Sequence, residues 1–138
     1  MLIQPGNWGS VIKKTGSSHP CWNREQVLEQ VRLMHFQYKP SRLDATFCCE
    51  TLETIRCYKS KQCPAGFIYE VEIINCEAPF HKGDFNAVEP LPGNPGTMWE
   101  IALKYWQYLL KTTVQEWPGV ECSEIVSASP LRVVRKVP

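Results

Sequence analysis

The stretch FIYEVEII, residues 67–74, is the clearest β-strand in the sequence. Two sets of positions alternate in it. One set is Phe67, Tyr69, Val71 and Ile73, and the other is Ile68, Glu70, Glu72 and Ile74. This alternation is typical of a strand that is half buried and lies in or near the centre of a sheet. The stretch is preceded by a turn signal at residues 60–66 and followed by an irregular region at 75–96, rich in proline and glycine.

Upstream of this strand, the sequence predicts an amphipathic helix from Arg24 to Phe36. Asn23 is its expected N-cap and Gln26 lies at the third helical position, which is a capping-box arrangement. The helix should end before Pro40, because proline disfavours the helical conformation of the residue that precedes it. Its expected apolar face consists of Val27, Leu28, Val31, Met34 and His35.

The remaining elements complete an α+β pattern. A short helix is expected from Leu52 to Tyr58 with Thr51 as its cap, and a third helix from Thr97, with Glu100 at its third position, to about Leu110. Further strands are predicted at Leu43–Cys49, Glu121–Val126 and Leu131–Val137, with a turn at Trp117–Gly119. Because no glycine-rich phosphate loop follows a strand, the order predicts a single α+β domain over residues 1–138 and not a doubly wound nucleotide-binding sheet.

Composition excludes several classes of protein. The chain has 138 residues, 43% hydrophobic and 21% charged, with a formal charge of +1, so it lacks the basic footprint of a nucleic-acid-binding protein. No apolar run approaches the roughly 18 residues of a membrane span, and no signal-peptide pattern is present. We therefore expect a cytoplasmic protein whose seven cysteines are reduced.

The cysteines do not predict a metal site, since no CxxC pair occurs and adjacent Cys48 and Cys49 would point to opposite faces of a strand. Common nucleotide, metalloprotease and serine-hydrolase motifs are also absent. His35 is expected to be structural, and His19 and His81 to lie in loops. The remaining polar candidates lie beside glycine- and aromatic-rich segments.

Taken in chain order, these segments resemble motifs of the ADP-ribosyltransferase superfamily, especially short bacterial and phage domains. Pro5–Ile12 resembles the first motif, which holds the nicotinamide and its ribose. Ser41–Phe47, with the helix that ends at Tyr58, resembles the second, in which an aromatic residue stacks on nicotinamide. Residues 123–126 and the last strand resemble the end of poly-ADP-ribose polymerase-like domains, where a glutamate on a strand is the catalytic acid. Gln4 stands where the superfamily usually has a histidine or an arginine.

The resemblance implies an ADP-ribosyltransferase-like split β-sheet with about three flanking helices. It implies a mono-ADP-ribosyltransferase that uses NAD, without a metal, to modify a protein or nucleic acid, as a toxin, an effector or a phage anti-defence factor. Glu124 would be the catalytic acid, Phe47 would stack on nicotinamide, Arg42 would pair with the pyrophosphate and Ser41 would bind the ribose. The implied NAD-binding residues are Gln4, Gly6, Asn7, Trp8, Ser41, Arg42, Phe47 and Tyr58.

Other interpretations of the same residues remain open. Glu124 is also compatible with a solvated strand edge, Phe47 and Trp8 with the core, and Arg42 with the surface. Tyr105 and Trp106 are expected to serve packing. The chain could then be a non-catalytic module of the same fold that binds a nucleotide or a protein. It could also be an interaction protein that blocks a host protein through a tryptophan-rich surface.

Overall fold

The computed structural model describes residues 1–85, 88, 96–108 and 123–138 of the chain. Within these residues there are four α-helices and six β-strands, so the predicted α+β class is confirmed. The helices are α1 (Asn7–Thr15), α2 (Trp22–His35), α3 (Leu52–Gln62) and α4 (Met98–Gln107). The strands are β1 (Leu2–Ile3), β2 (Thr46–Cys48), β3 (Tyr69–Ile73), β4 (Phe80–Asp84), β5 (Ser123–Ser127) and β6 (Leu131–Lys136). Short 3₁₀ turns occur at Gly16–Ser18 and Arg42–Asp44.

The strands form two antiparallel sheets of three strands each. The order is β1-β6-β3 in one, called here the β6 sheet, and β2-β5-β4 in the other, called the β5 sheet. Strands β5 and β6 are separated by residues 128–130 alone, and each is the central strand of its sheet. The end of the chain therefore supplies the centre of both sheets.

Among the described strands, β3 lies at an edge of the β6 sheet, and the expectation of a strand in or near the centre of a sheet is wrong. In the described part of the chain β3 pairs with β6 alone, and Phe67 is 69% exposed. Its two glutamates form exposed ion pairs with β6, Glu72 with Arg132 at 2.9 Å and Glu70 with Arg135 at 2.6 Å. Alternation reports which face of a strand is buried, but it carries no information on whether both edges are paired.

Two helix starts differ from their predictions. Residues 7–15 form a helix, although the two glycines and the proline around Trp8 in Pro5–Gly9 predict a tight turn or loop. The chain enters the helix through Gly6 at φ 98°. Helix α2 begins at Trp22 after Cys21, which makes no side-chain cap, so the cap predicted at Asn23 is wrong.

The apolar face of α2 is narrower than predicted. Leu28 and Val31 are fully buried, but Met34 is 64% exposed and His35 is also exposed. Both exposed residues lie in the last turn of α2, and neither belongs to the core cluster that α2 forms with α4.

Two predicted helix caps are confirmed. Thr51 Oγ1 accepts a hydrogen bond from the Thr54 backbone N–H at 3.1 Å, although α3 continues past Tyr58 to Gln62. At α4, Thr97 and Glu100 form the full reciprocal capping box. The predicted end of α4 near Leu110 falls outside the described residues. None of the described helices is long and apolar enough to cross a lipid bilayer.

Two strand predictions also change. The strand predicted at Leu43–Cys49 is shorter, because Arg42–Asp44 forms a 3₁₀ turn and β2 covers Thr46–Cys48. Cys49 lies just after β2, and the side chains of Cys48 and Cys49 are both half-buried. Residues 80–84, predicted as irregular, form β4, which pairs with β5 along its whole length. The predicted turn at 117–119 and residues 121–122 of the predicted strand lie outside the described residues.

The main hydrophobic core lies between α2 and α4. Leu28 and Val31 of α2 pack with Ala102, Tyr105 and Trp106 of α4. The Trp106 indole N–H donates to the Leu28 carbonyl at 2.8 Å, so the one polar atom of this buried ring is satisfied. This packing fixes α4 against α2 and determines where the Tyr105 side chain ends.

Helix α1 packs closely against the turn at residues 42–44, and Gly9 makes this approach possible. A Cβ atom on Gly9 would lie 1.9 Å from the Leu43 carbonyl oxygen and 2.7 Å from its carbonyl carbon. These are backbone atoms, which cannot move away as a flexible side chain could. Gly9, the second glycine of the segment PGNWG, therefore allows close backbone contact from within a helix.

We expect Gly9→Ala to lower the free energy of unfolding by about 1–3 kcal/mol, because the added methyl group overpacks a backbone contact. Ser10→Ala, at the neighbouring exposed position of α1, is the matched control. Urea denaturation of both variants measures the difference. Equal unfolding midpoints for Gly9→Ala and Ser10→Ala would contradict the close contact.

Candidate functional site

A buried charged cluster lies where α2, α4, β5 and the turn at 42–44 meet. It contains Arg42, Glu25, Glu124 and Tyr105 and is called here the Arg42 cluster. Arg42 is 6% exposed, Glu124 is 3% exposed, and Glu25 and Tyr105 are each 1% exposed. Buried charges are costly unless they are paired, so their arrangement needs an explanation.

One edge of the Arg42 guanidinium binds Glu25 of α2. Nε donates to Oε2 at 3.1 Å, and Nη2 donates to Oε1 at 3.2 Å, a fork geometry that only arginine provides. Arg24 Nη2 also donates to Glu25 Oε1 at 3.0 Å. Burial by itself would raise the pKa of Glu25, but the charge and hydrogen bonds of Arg42 hold that pKa below its usual value. Glu25 is therefore ionised.

The other edge of the guanidinium faces Glu124 and Tyr105. Nη1 donates to Glu124 Oε1 in a short ion pair and to the Tyr105 hydroxyl oxygen at 2.6 Å. The Tyr105 hydroxyl donates in turn to Glu124 Oε1 at 2.8 Å. Burial would lower the pKa of Arg42, but Tyr105, Glu124 and Glu25 together raise it well above its usual value. Burial also raises the pKa of Tyr105 well above its usual value, so the phenol keeps its proton.

Phe47 and Glu124 lie on the same face of the β5 sheet. Phe47 is the cross-strand partner of Val126, and Glu124 precedes Val126 by two residues, which returns its side chain to that face. The Phe47 ring centre lies 5.1 Å from Arg42 Cζ, and the Tyr105 ring centre lies 5.2 Å from it. The guanidinium is therefore in contact with two aromatic rings as well as two carboxylates.

Tyr58 and the paired cysteines lie within the electrostatic influence of Glu124. Burial and then the Glu124 charge raise the pKa of Tyr58 to about 12 and that of Cys49 to about 12. Burial, Glu50 and Glu124 raise the pKa of Cys48 to about 11. These thiols stay protonated, which makes them poor nucleophiles and poor metal ligands. In the described residues no group of three or more potential ligands could hold a metal ion.

A groove of about 630 Å³ runs between β2, the start of α3 and the β6 sheet. Phe47, Cys48 and Cys49 line it, whereas Glu124, on the neighbouring strand β5, is not among its described lining residues. Ile3, the residue before Gln4 in the sequence, also lines the groove. Its further lining residues are Glu50, Thr51, Leu52, Ile55, Phe67, Ile68, Tyr69, Glu70, Val71, Leu131, Arg135 and Val137.

The structure brings Arg42, Phe47, Tyr58 and Glu124 together, as a shared site requires. It assigns Arg42 a role that differs from the expected one, since this buried guanidinium already binds two carboxylates and has no free edge for a pyrophosphate. The Ser41 hydroxyl is likewise engaged, because it donates to Glu29 at 2.8 Å and accepts from the Leu43 N–H.

The predicted residues of the first motif lie apart from this cluster or at its margin. Gln4 and Asn7 are exposed. The Gly6 N–H donates to the Ala45 carbonyl at 3.1 Å, which ties the start of α1 to the strand entry. The Trp8 indole N–H lies close enough to Glu25 to help lower its pKa, but it completes no hydrogen bond with a described atom.

A second polar group, consisting of buried His81 and half-buried Lys39, holds the end of α4. His81 is 2% exposed on β4, so the prediction of a loop histidine is wrong. Its Nε2 lies 2.9 Å from the Tyr105 carbonyl, which can only accept, so Nε2 carries the proton. Nδ1 then accepts from Lys39 Nζ at 2.8 Å, and Lys39 also donates to the Trp106 carbonyl at 2.7 Å. Two carbonyls in the last turn of α4 are thus satisfied.

Sequence reasoning missed Glu25, His81 and the polar role of Tyr105. Each has an available signal that is too weak alone: a glutamate within a helix, a histidine between a phenylalanine and a lysine, and a tyrosine on an apolar helix face. Their roles come from contacts between segments 17 to 82 residues apart along the chain.

Most of the chain matches a known protein family. A family model described as "Protein of unknown function (DUF2441)" matches residues 4–120. The chain belongs to this family. The sequence matches no functionally curated protein. Within this DUF2441 chain, Glu25, Arg42 and Tyr105 fall inside the matched range, and Glu124 lies four residues beyond its end.

We expect Arg42→Met to lower the free energy of unfolding by about 3–5 kcal/mol, because it leaves two buried carboxylates without their shared partner. Arg56→Met, at an exposed position of α3, is the matched control and should change stability by about 0.5 kcal/mol or less. Guanidinium denaturation of the two DUF2441 variants tests this. A similar small loss in both would show that the Arg42 cluster contributes little to stability.

Acid should destabilise the protein through His81. Burial and the Lys39 charge lower the pKa of His81 to about 3 in the folded protein, against about 6.5 when unfolded. Between these values the unfolded chain binds more protons, so stability falls as the pH falls through this range. We expect a loss of about 2 kcal/mol from this group between pH 7 and pH 5.

Urea denaturation at the two pH values measures this loss. In His81→Gln the loss between pH 7 and pH 5 should shrink, whatever the starting stability of the variant. In the control His35→Gln, at an exposed position, it should stay as in the parent protein. An unchanged loss in His81→Gln would refute the assignment of the buried neutral imidazole.

Proposed function

We propose that this DUF2441 protein breaks the nicotinamide–ribose bond of NAD and transfers ADP-ribose to a macromolecular acceptor, a protein or a nucleic acid. The observation that carries this proposal is the way in which the Glu124 carboxylate is held. The two hydrogen bonds that it receives from described residues both reach Oε1. Oε2 has no such partner, so it is the oxygen that can meet a substrate.

The chemistry needs one fixed carboxylate. As the C–N bond breaks, nicotinamide leaves with the bonding electron pair and positive charge develops on the ribose. A carboxylate beside the ribose stabilises that charge and orients the acceptor. The acceptor nucleophile then forms the new bond to the ribose carbon and loses its proton to water. Arg42 and Tyr105 hold Glu124 in place before the reaction, so little reorganisation is required.

The groove supports a dinucleotide as the ligand. Its volume of about 630 Å³ lies within the range usual for small-molecule sites. Phe47 both lines the groove and shares a sheet face with Glu124, so a nicotinamide ring stacked on Phe47 would bring its ribose towards the carboxylate. Since Arg42 is buried, we propose no pyrophosphate contact for it.

The order of the segments along the chain also supports the proposal. The resemblance to ADP-ribosyltransferases implies a strand carrying Glu124 that is followed by a closing strand, and β5 and β6 have this order. We accordingly propose that the two antiparallel sheets correspond to the split sheet of that superfamily. The two sheets meet at the groove, where a dinucleotide would contact both.

Gln4 favours a second candidate function, a module that binds NAD without cleaving it. It is exposed at the entrance to α1 and brings no charge where the superfamily usually has a histidine or an arginine. Binding and turnover must therefore be measured separately.

We expect the protein to release nicotinamide from NAD, and Glu124→Gln to lower that rate by about 100-fold or more, as expected for loss of a charge-stabilising group. Glutamine keeps an oxygen that can accept from Arg42 and Tyr105, so the fold should persist. Chromatography of nicotinamide measures turnover, and calorimetry measures NAD binding.

Glu72→Gln, which removes an exposed carboxylate from β3, is the matched control and should keep the parent rate. Saturable NAD binding without turnover in the parent protein would support the second candidate. Absence of both binding and turnover would refute the NAD site itself.

A further inference from the structure

Tyr105 closes a ring of hydrogen bonds with Arg42 and Glu124. An arginine N–H can only donate, so the Tyr105 oxygen accepts from Arg42 at 2.6 Å. The single phenolic proton is then given to Glu124 Oε1 at 2.8 Å. The direction of each bond is therefore fixed, and Oε1 receives two donors from two different elements. A carboxylate held in this way cannot rotate freely about its last bond.

Gly83 provides the space that the phenol occupies. It is the antiparallel partner of Glu124 on β4. A Cβ atom on Gly83 would lie 2.4 Å from Tyr105 Cε2, 2.6 Å from Cζ and 2.9 Å from the hydroxyl oxygen. Gly83 is not among the glycines with positive φ, so the backbone conformation does not require glycine there. Space for Tyr105 is the reason that a glycine fits this position.

We infer that Tyr105 is a positioning residue for Glu124, and that Gly83 on β4 provides the space in which its side chain lies. Tyr105 and Arg42 together fix Oε1, which leaves Oε2 without a hydrogen-bond donor among the described residues. The inference rests on the proposed function, because it assigns Tyr105 a role in the same reaction. Tyr105 itself does not touch the substrate.

The packing of the Tyr105 ring allows the hydroxyl to be tested by itself. The ring makes edge contacts with His81 at 5.1 Å and with Trp106 at 5.1 Å between ring centres. Tyr105→Phe keeps these contacts and the fit over Gly83, and removes the hydroxyl alone. Arg42 still pairs with both carboxylates in that variant, so the fold should persist.

The experiment compares NAD cleavage in Tyr105→Phe, Gly83→Ala and the double variant. We expect Tyr105→Phe to lower kcat by about 10- to 100-fold, because a carboxylate that is free to move is misplaced for much of the time. KM should change by about twofold or less, since the ligand contacts remain. Gly83→Ala should lower kcat similarly, and adding it to Tyr105→Phe should cost much less than the product of the two single effects.

Tyr38→Phe removes a hydroxyl from an exposed tyrosine outside the groove and is the matched control. A Tyr105→Phe protein with the parent kcat would overturn the inference while the proposed function stands. Equal effects on kcat in Tyr105→Phe and Tyr38→Phe would also overturn it. A parent protein without turnover would refute the catalytic function first, and the positioning role would fall with it.

Discussion

The buried guanidinium of Arg42 is the interaction on which the rest of the site depends. It joins a carboxylate of α2 to a carboxylate of β5, two elements that are about a hundred residues apart in the sequence. The charge and hydrogen bonds of Arg42 keep the pKa of buried Glu25 below its usual value. Because only a planar fork can serve both carboxylates, the turn at residues 42–44 must present Arg42 at this place, and close contact with α1 helps to hold that turn.

Side-chain contacts hold both ends of helix α4. The Thr97–Glu100 capping box fixes its start, and His81 and Lys39 satisfy carbonyls in its last turn. Both sets of contacts act on the helix that carries Tyr105. A neutral histidine is suited to the second position, because a charged imidazole would face the ammonium group of Lys39. The stability of the α4 end is therefore linked to pH, and the same contacts determine where the Tyr105 hydroxyl lies.

The sequence correctly predicted features that depend on contacts between residues close together in the chain. The caps at Thr51 and Thr97 follow from contacts three residues apart, and the closing strands follow from local alternation. Phe47, Arg42 and Glu124 could be singled out together only through the chain order of a family resemblance, and their role in a shared site stays a prediction. Strand β4 and Glu25 were missed because their polar residues resemble a solvated loop and a solvated helix face. Their burial depends on partners distant in sequence, which no local pattern encodes.

The position of the two central strands at the end of the chain affects how this protein should be divided for expression. In the described part of the chain, β1 and β3 pair with β6 alone, and β2 and β4 pair with β5 alone. A fragment cut at residue 120, where the family match ends, would leave those four strands without their described partners. The match therefore marks recognisable sequence and not a folding unit, and an expressed fragment has to include β5 and β6.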